Sequence, residues 1–284
     1  MIEIIPTDSA LGADIAGVDL SATLSPADFG TIYQAWMRHV VLRFRGQTLT
    51  DDQLMDFSRN FGPLDRNPRH AKAEHRPMGD SSDYVNVISN VVENGRAIGG
   101  LGHYEAKWHS DMSYNPVPPM ASALYALEVP PTGGDTSFCN MYSAFETLDE
   151  AMRERIATLT CVHDSSLNSV GQLRVGFEEV TDPRHTPGAV HPLVRTHPVT
   201  GRRCLFLGRR RNAYIPGLDL PDSEALLDQL WAHATAPEHT WTQQWRAGDL
   251  VLWDNRAALH RRDDFDGTAR RVMHRTQIGG DRPF

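Results

Sequence analysis

Short apolar runs closed by turn residues recur along this chain, and they constrain its fold more than any other feature. Residues 121–129 lead into the turn Pro130-Pro131-Thr132-Gly133-Gly134 and a second run over 135–139. Residues 240–246, a turn at Gly248 and residues 250–253 repeat the pattern, and 271–278 end it. Runs of this length bounded by Gly and Pro are strand signals, and turns this short join antiparallel neighbours. Further runs fall at 2–5, 13–20, 39–44 and 84–89, and those at 193–196 and 203–207 flank a turn at Thr200-Gly201. Helical spacing is confined to a few stretches. Ser25 caps a helix that Pro26 opens and that buries Phe29, Ile32, Tyr33, Trp36 and Met37. Thr50 and Gln53 have capping-box spacing for a second helix, which Gly62 ends in a left-handed cap. Residues 144–159 form a helical interlude, and Ser223 caps a helix carrying Leu226, Leu227, Leu230 and Trp231. The expected fold is mainly β with flanking helices: an antiparallel sandwich or jelly roll with helices packed outside.

With 284 residues, 40% of them hydrophobic, the chain can bury a large core, and one domain over 1–284 is expected. A formal net charge of −8 argues against a nucleic-acid partner, because phosphates demand an excess of Lys and Arg. Cys139, Cys161 and Cys204 have no paired spacing, as expected of a reducing cytoplasm. The first residues lack a basic region followed by an apolar core, and no run reaches membrane-spanning length, so a soluble, unexported protein is expected. There is no glycine-rich phosphate loop and no G-x-S-x-G elbow, which lowers nucleotide and serine-hydrolase readings. The target is expected to be a small molecule.

The segment Ala106-Lys107-Trp108-His109-Ser110-Asp111 carries the chemistry. Side chains two apart on a strand share a face, so His109 and Asp111 can offer an imidazole nitrogen and a carboxylate oxygen to one metal ion. The best third ligand is His260, just beyond the run at 250–253. Two histidines and one carboxylate form the facial set that leaves positions open on non-haem Fe(II). Strand alternation at 271–278 puts Arg271, Met273, Arg275 and Gln277 on one face. Two guanidiniums there need anions, either carboxylates of a ligand or Asp263, Asp264 or Asp266 on a solvated strand. His163, His191 and His197 read as hydrogen-bonded structural residues. The polar stretch over about 65–105 reads as a lid or binding loop leading into the ligands.

Four ordered motifs together resemble the taurine and 2,4-dichlorophenoxyacetate dioxygenase (TauD/TfdA) family. They are Trp108-His109-Ser110-Asp111, Gly133-Gly134-Asp135-Thr136, Trp253-Asp254-Asn255-Arg256 leading to His260, and Arg271-Val272-Met273-His274-Arg275. The likeness begins at Gly12-Ala13-Asp14 and covers nearly the whole chain. It implies a double-stranded β-helix of the jelly-roll, cupin-like kind and an oxygenase using Fe(II), 2-oxoglutarate and O2. By that likeness His109, Asp111 and His260 hold iron, while Thr136 and Arg271 bind the distal carboxylate of 2-oxoglutarate. An aspartate at 111, where related halogenases carry a small residue, favours hydroxylation. Arg275 stands where taurine-type members hold an anionic substrate, or else helps position 2-oxoglutarate, and Arg211 in the Arg209-Arg210-Arg211 run lies in a region the family uses near the substrate, with a solvated basic turn as the other reading for at least two of the three. Glu105, with His103 and Tyr104 beside it, departs from the taurine enzymes and either suits a cationic group or pairs with Lys107 or an arginine, so an organic acid or a zwitterion is expected as substrate. The product is expected to be hydroxylated, and cleaved where the hydroxylated carbon bears a heteroatom. A biosynthetic amino-acid hydroxylase or desaturase, and a non-catalytic metal-binding sensor, are the competing readings. The family also implies a homo-oligomer, dimer or tetramer.

Overall fold

A computed structural model describes residues 1–66 and 83–284. Its strands fall mainly into two sheets. The larger has eight strands in the order Glu3–Pro6, Ala13–Ala16, Val41–Phe44, Leu250–Asp254, Ala121–Glu128, Val272–Ile278, Asn86–Ser89 and Gly100–Leu101. The smaller has four, Thr240–Gln243, Thr136–Asn140, Ala258–Arg262 and Ala106–His109. Pairing is antiparallel except where Ala13–Ala16 meets Val41–Phe44 and where Asn86–Ser89 meets Gly100–Leu101. The chain is therefore mainly β with few helices, as expected. No helix among the described residues is long and apolar enough to cross a membrane.

The alternation of the large sheet divides the core in two. Leu250, Leu252, Ala121, Ala123 and Tyr125 face the helices Pro26–His39 and Asp51–Arg59, packing with Ile32, Trp36, Leu54 and Phe57. Val251, Trp253, Leu124, Ala126 and Met273 face the other way, into a cluster with Phe138 and Leu259 of the small sheet. A strand covered on both faces has no polar side to show, which is why residues 250–253 read as an unbroken apolar run. The Val272–Ile278 strand obeys the same rule: His274 reaches Asp51 and Thr276 bonds Ser58 of the second helix (2.7 Å), while Arg275 points inward.

Ser25 and the Thr50/Gln53 capping box stand where expected. Other boundaries differ for local reasons. The second helix ends at Arg59, where Asn60 Nδ2 donates to the carbonyls of Asp56 and Phe57 (2.9 Å each), so Gly62 is not its cap. The helix over Leu220–Ala234 starts before Ser223, with Asp219 at its N-cap and a proline in its first turn; Ser223 Oγ instead accepts the Ile215 N–H (2.9 Å). The interlude is two helices, Met141–Glu146 and Glu150–Ile156, because Asp149 caps the second by accepting from Met152 N (2.7 Å). Of the loop expected over 65–105, residues 67–82 lie outside the described residues; its latter part forms the short strands Val92–Glu93, Arg96–Ala97 and Gly100–Leu101.

Candidate active site

The edge strand Ala106–His109 pairs with Ala258–Arg262 so that His109 and His260 lie directly opposite each other, their rings 4.2 Å apart. The strand stops at His109, so Asp111 reaches the site by another route than strand alternation. The turn that follows is clamped by Asn255: its Oδ1 accepts the Asp111 N–H (2.8 Å), and its Nδ2 donates to the carbonyls of Asp111 and Pro119 (2.9 Å each). Asn255 is itself seated by the preceding Asp254, a buried carboxylate that takes two bonds from the Arg256 guanidinium (2.8 and 2.7 Å) and one from His197 (3.0 Å). Asp254, Asn255 and Arg256 were visible as a motif, but their task of shaping the loop is legible only in the coordinates.

Asp111 Oδ1 lies 3.7 Å from His109 Nε2 and 3.9 Å from His260 Nε2, and one donor atom from each of the three residues falls within 4.8 Å of the others. The protonation pattern suits a cation. His109 Nδ1 donates to Lys107 O (2.7 Å), which fixes the tautomer and leaves the Nε2 lone pair facing the group. Burial holds both imidazoles below their ordinary value, His260 strongly. Burial pushes Asp111 up, but the Arg275 charge, the largest of the lowering influences, works against it, and the carboxyl is held well below its usual range. Two neutral imidazoles and one carboxylate, all buried, fit a divalent metal and leave half of an octahedron open.

Beside this group is a cavity lined by Leu124, Thr136, Trp253, Arg262, Arg271 and Arg275. Arg271 is 2% exposed, makes no ion pair among the described residues, and is pulled down to about 9 by burial and the Arg262 charge. Its Nε has no partner. A buried cation without a counter-ion marks a place for an anion. Thr136 Oγ1 accepts the Trp245 indole N–H (3.0 Å), which turns its own hydroxyl proton toward another acceptor; sequence reasoning missed Trp245. Gly134 has φ +69°, and a Cβ there would lie 3.3 Å from Arg271 Cδ and Nε, so this turn needs glycine.

The expected substrate residues are not all gathered here. Arg275 Nη1 donates to both oxygens of Asp111 (3.0 and 3.1 Å), so its charge is engaged by the ligand group rather than free for an incoming anion. Glu105 turns away, pairing with Lys107 and approaching Arg261 (3.8 Å). Tyr104 is exposed and stacks with His103 (4.4 Å between rings). Arg211 is exposed but borders a second cavity together with Arg209, and Arg210 pairs with Glu224 (2.6 Å) and Asp228 (2.7 Å). Arg209 is half-buried and bridged through its backbone to His109, with Nη1 on Leu167 O (2.6 Å) and a buried Nε that has no partner among the described residues. Because Arg209 looks like its two neighbours in sequence, only the bridge to His109 distinguishes it. His191 and His197 are structural: His191 Nε2 donates to Ser113 O (2.8 Å), and His197 holds Asp254.

A His-carboxylate-His group beside an unpaired buried arginine, in a mainly β scaffold, defines a class: dioxygenases that depend on Fe(II), O2 and 2-oxoglutarate. Comparison with known proteins agrees. Residues 3–277 match the family described as "Taurine catabolism dioxygenase TauD, TfdA family". The chain is 34% identical over 293 residues to the (S)-phenoxypropionate/alpha-ketoglutarate-dioxygenase of Sphingobium herbicidovorans, covering 98% of this chain and 95% of that one. It is 35% identical over 272 residues to the alpha-ketoglutarate-dependent 2,4-dichlorophenoxyacetate dioxygenase of a Burkholderia species, covering 93% and 89%. The crystal structure of AAD-2 in complex with Mn(II) and N-oxalylglycine superposes with a TM-score of 0.80 at 33% identity, covering 100% of this chain and 99% of that one. The chain belongs to the TauD/TfdA family and is a 2-oxoglutarate-dependent dioxygenase.

Proposed function

We propose that this enzyme hydroxylates a small organic acid with an apolar body, and cleaves it where the oxidised carbon carries an ether or ester oxygen. The observation that carries the reading is the convergence of His109, Asp111 and His260 beside the Arg271 cavity. The two sheets are read as the walls of a double-stranded β-helix within a single domain over 1–284. Residues 83–105 are read as a cover, since Ile88 and Leu101 both border the cavity. We assign the His109 and His260 Nε2 atoms and an Asp111 oxygen as iron ligands, and Arg271 with Thr136 as the anchor of the 2-oxoglutarate distal carboxylate.

Iron bound there supplies the coupling of O2 reduction and 2-oxoglutarate decarboxylation, to succinate and CO2, with oxidation of a substrate C–H bond. The protein's own part is positional. Ser122 Oγ donates to Asp111 Oδ2 (2.9 Å) and Arg275 to both oxygens, fixing the carboxylate ligand. Leu124 and Trp253 keep the cofactor cavity dry. For the substrate we assign Arg209, which is half-buried, makes no ion pair among the described residues and borders a second cavity of about 490 Å³ with His109, Leu167, Val170 and Trp231. An anionic head on Arg209 with an apolar body along that cavity suits an aryloxy or alkyl acid. With Glu105 paired outside, a zwitterion has lost the acidic partner expected for it. A cytoplasmic homo-oligomer, dimer or tetramer, completes the reading.

Succinate release with aryloxyalkanoates, alkyl sulfates, sulfonates and amino acids tests it. Aryloxyalkanoates or alkyl sulfates should lead, and Arg209→Met should raise their KM about tenfold or more while leaving the KM for 2-oxoglutarate unchanged. A preference for amino acids, or an unmoved KM, would refute the assignment.

A further inference from the structure

The cavity holds a third arginine that the roles above do not use. Residues 258–262 form a strand of the small sheet, so the side chains of His260 and Arg262, two apart, share a face. Arg262 lies directly across the ladder from Thr136, and its side chain borders the same cavity as Thr136 and Arg271. It is 6% exposed. Its only recorded acceptors among the described residues are two uncharged backbone oxygens, Leu101 O (3.3 Å) and Tyr104 O. The Nε atoms of both Arg262 and Arg271 are buried without partners among the described residues, and the Phe265 ring lies 5.5 and 6.0 Å from the two guanidiniums. Two like charges with unsatisfied N–H groups in one dry cavity is an arrangement that a single carboxylate resolves, since one carboxylate offers about four acceptor positions.

We propose that Arg262 is a second anchor for the distal carboxylate of 2-oxoglutarate, completing a three-point clamp with Arg271 and Thr136. The inference rests on the cofactor assignment made above. It adds two consequences. The site selects a 2-oxo diacid over a 2-oxo monoacid of equal length, because two guanidiniums are left unpaired by the latter. Arg262 also ties the bound cofactor to the wall of the cavity, since the same guanidinium holds the carbonyls of Leu101 and Tyr104.

Isothermal titration of the Mn(II)-loaded protein without turnover tests the clamp, using 2-oxoglutarate and 2-oxovalerate, which carries a methyl group in place of the distal carboxylate. Arg262→Met should weaken 2-oxoglutarate about 10- to 100-fold and leave 2-oxovalerate within about twofold, and Arg262→Lys should fall between. The melting temperature without 2-oxoglutarate should hold or rise in Arg262→Met, because like charges are separated, while the rise on adding 2-oxoglutarate shrinks. Equal binding of 2-oxoglutarate by wild type and both variants overturns the proposal, as does a parallel loss of both oxo acids. A wild type that binds neither oxo acid overturns the cofactor assignment itself, and this inference with it. If Arg262→Met does not fold, unaltered 2-oxoglutarate affinity in Arg262→Lys overturns the proposal alone.

Discussion

Truncating Asn255 tests whether one amide builds the metal site. Its side chain accepts the Asp111 N–H, donates to the carbonyls of Asp111 and Pro119, and receives Ser110 Oγ (3.1 Å), all in a place where the residue is 1% exposed. Asn255→Ala leaves three buried backbone groups without partners. At about 1 kcal/mol each the loss is about 3 kcal/mol. For a chain of this size that corresponds to a fall of roughly 6–12 °C in melting temperature. The larger effect falls on the metal, because the turn that carries Asp111 no longer has a fixed position; removal of an outer support of this kind weakens metal affinity about 10- to 100-fold. Free Mn(II) measured by electron paramagnetic resonance during titration reads the affinity, and differential scanning calorimetry reads the stability. Mn(II) affinity within twofold of wild type, with the melting point lowered as stated, would mean that Asn255 stabilises the fold but does not place Asp111.

Three further outcomes are expected. Trp245→Phe removes the N–H that orients Thr136 and should weaken 2-oxoglutarate about 3- to 10-fold, with the metal affinity unchanged; titration of the Mn(II) form checks both. Gly134→Ala should lower stability by about 1–2 kcal/mol through its left-handed φ and should also weaken 2-oxoglutarate by crowding Arg271, read by urea denaturation and by the same titration. Burial holds His163 well below the ordinary imidazole value, so it stays neutral in the folded state while the unfolded chain takes up a proton below about pH 6.5. Its share of stability is therefore full above that pH and is lost progressively as the pH falls below it; equal denaturation midpoints for the wild type at pH 7.5 and 5.5 would contradict this.

Much of the scaffold was legible because its strands are apolar for a simple reason. The runs at 121–129 and 250–253 are covered on both faces, and nothing about them needs the coordinates. The strand Ala258–Arg262 escaped the same reading: its inward positions hold His260 and Arg262, so the chemistry of the site replaces the hydrophobic pattern that marks a strand. The metal group was readable from residue types and order, although the reason His109 and Asp111 meet lies in Asn255 rather than in strand alternation. Charge partners were the least legible. Arg275 finds Asp111 only once the strands are paired, whereas Lys107, two residues on, was already a candidate partner for Glu105, and the bridge to His109 separates Arg209 from Arg210 and Arg211.

Anaerobic addition of Fe(II) and then 2-oxoglutarate to the purified protein tests the central claim most directly. A weak visible charge-transfer band should appear with both present, be lost in His109→Ala and require more 2-oxoglutarate in Arg271→Lys. A wild type that gives no band, or a band that survives His109→Ala unchanged, would contradict the assignment of these residues as the iron and 2-oxoglutarate site.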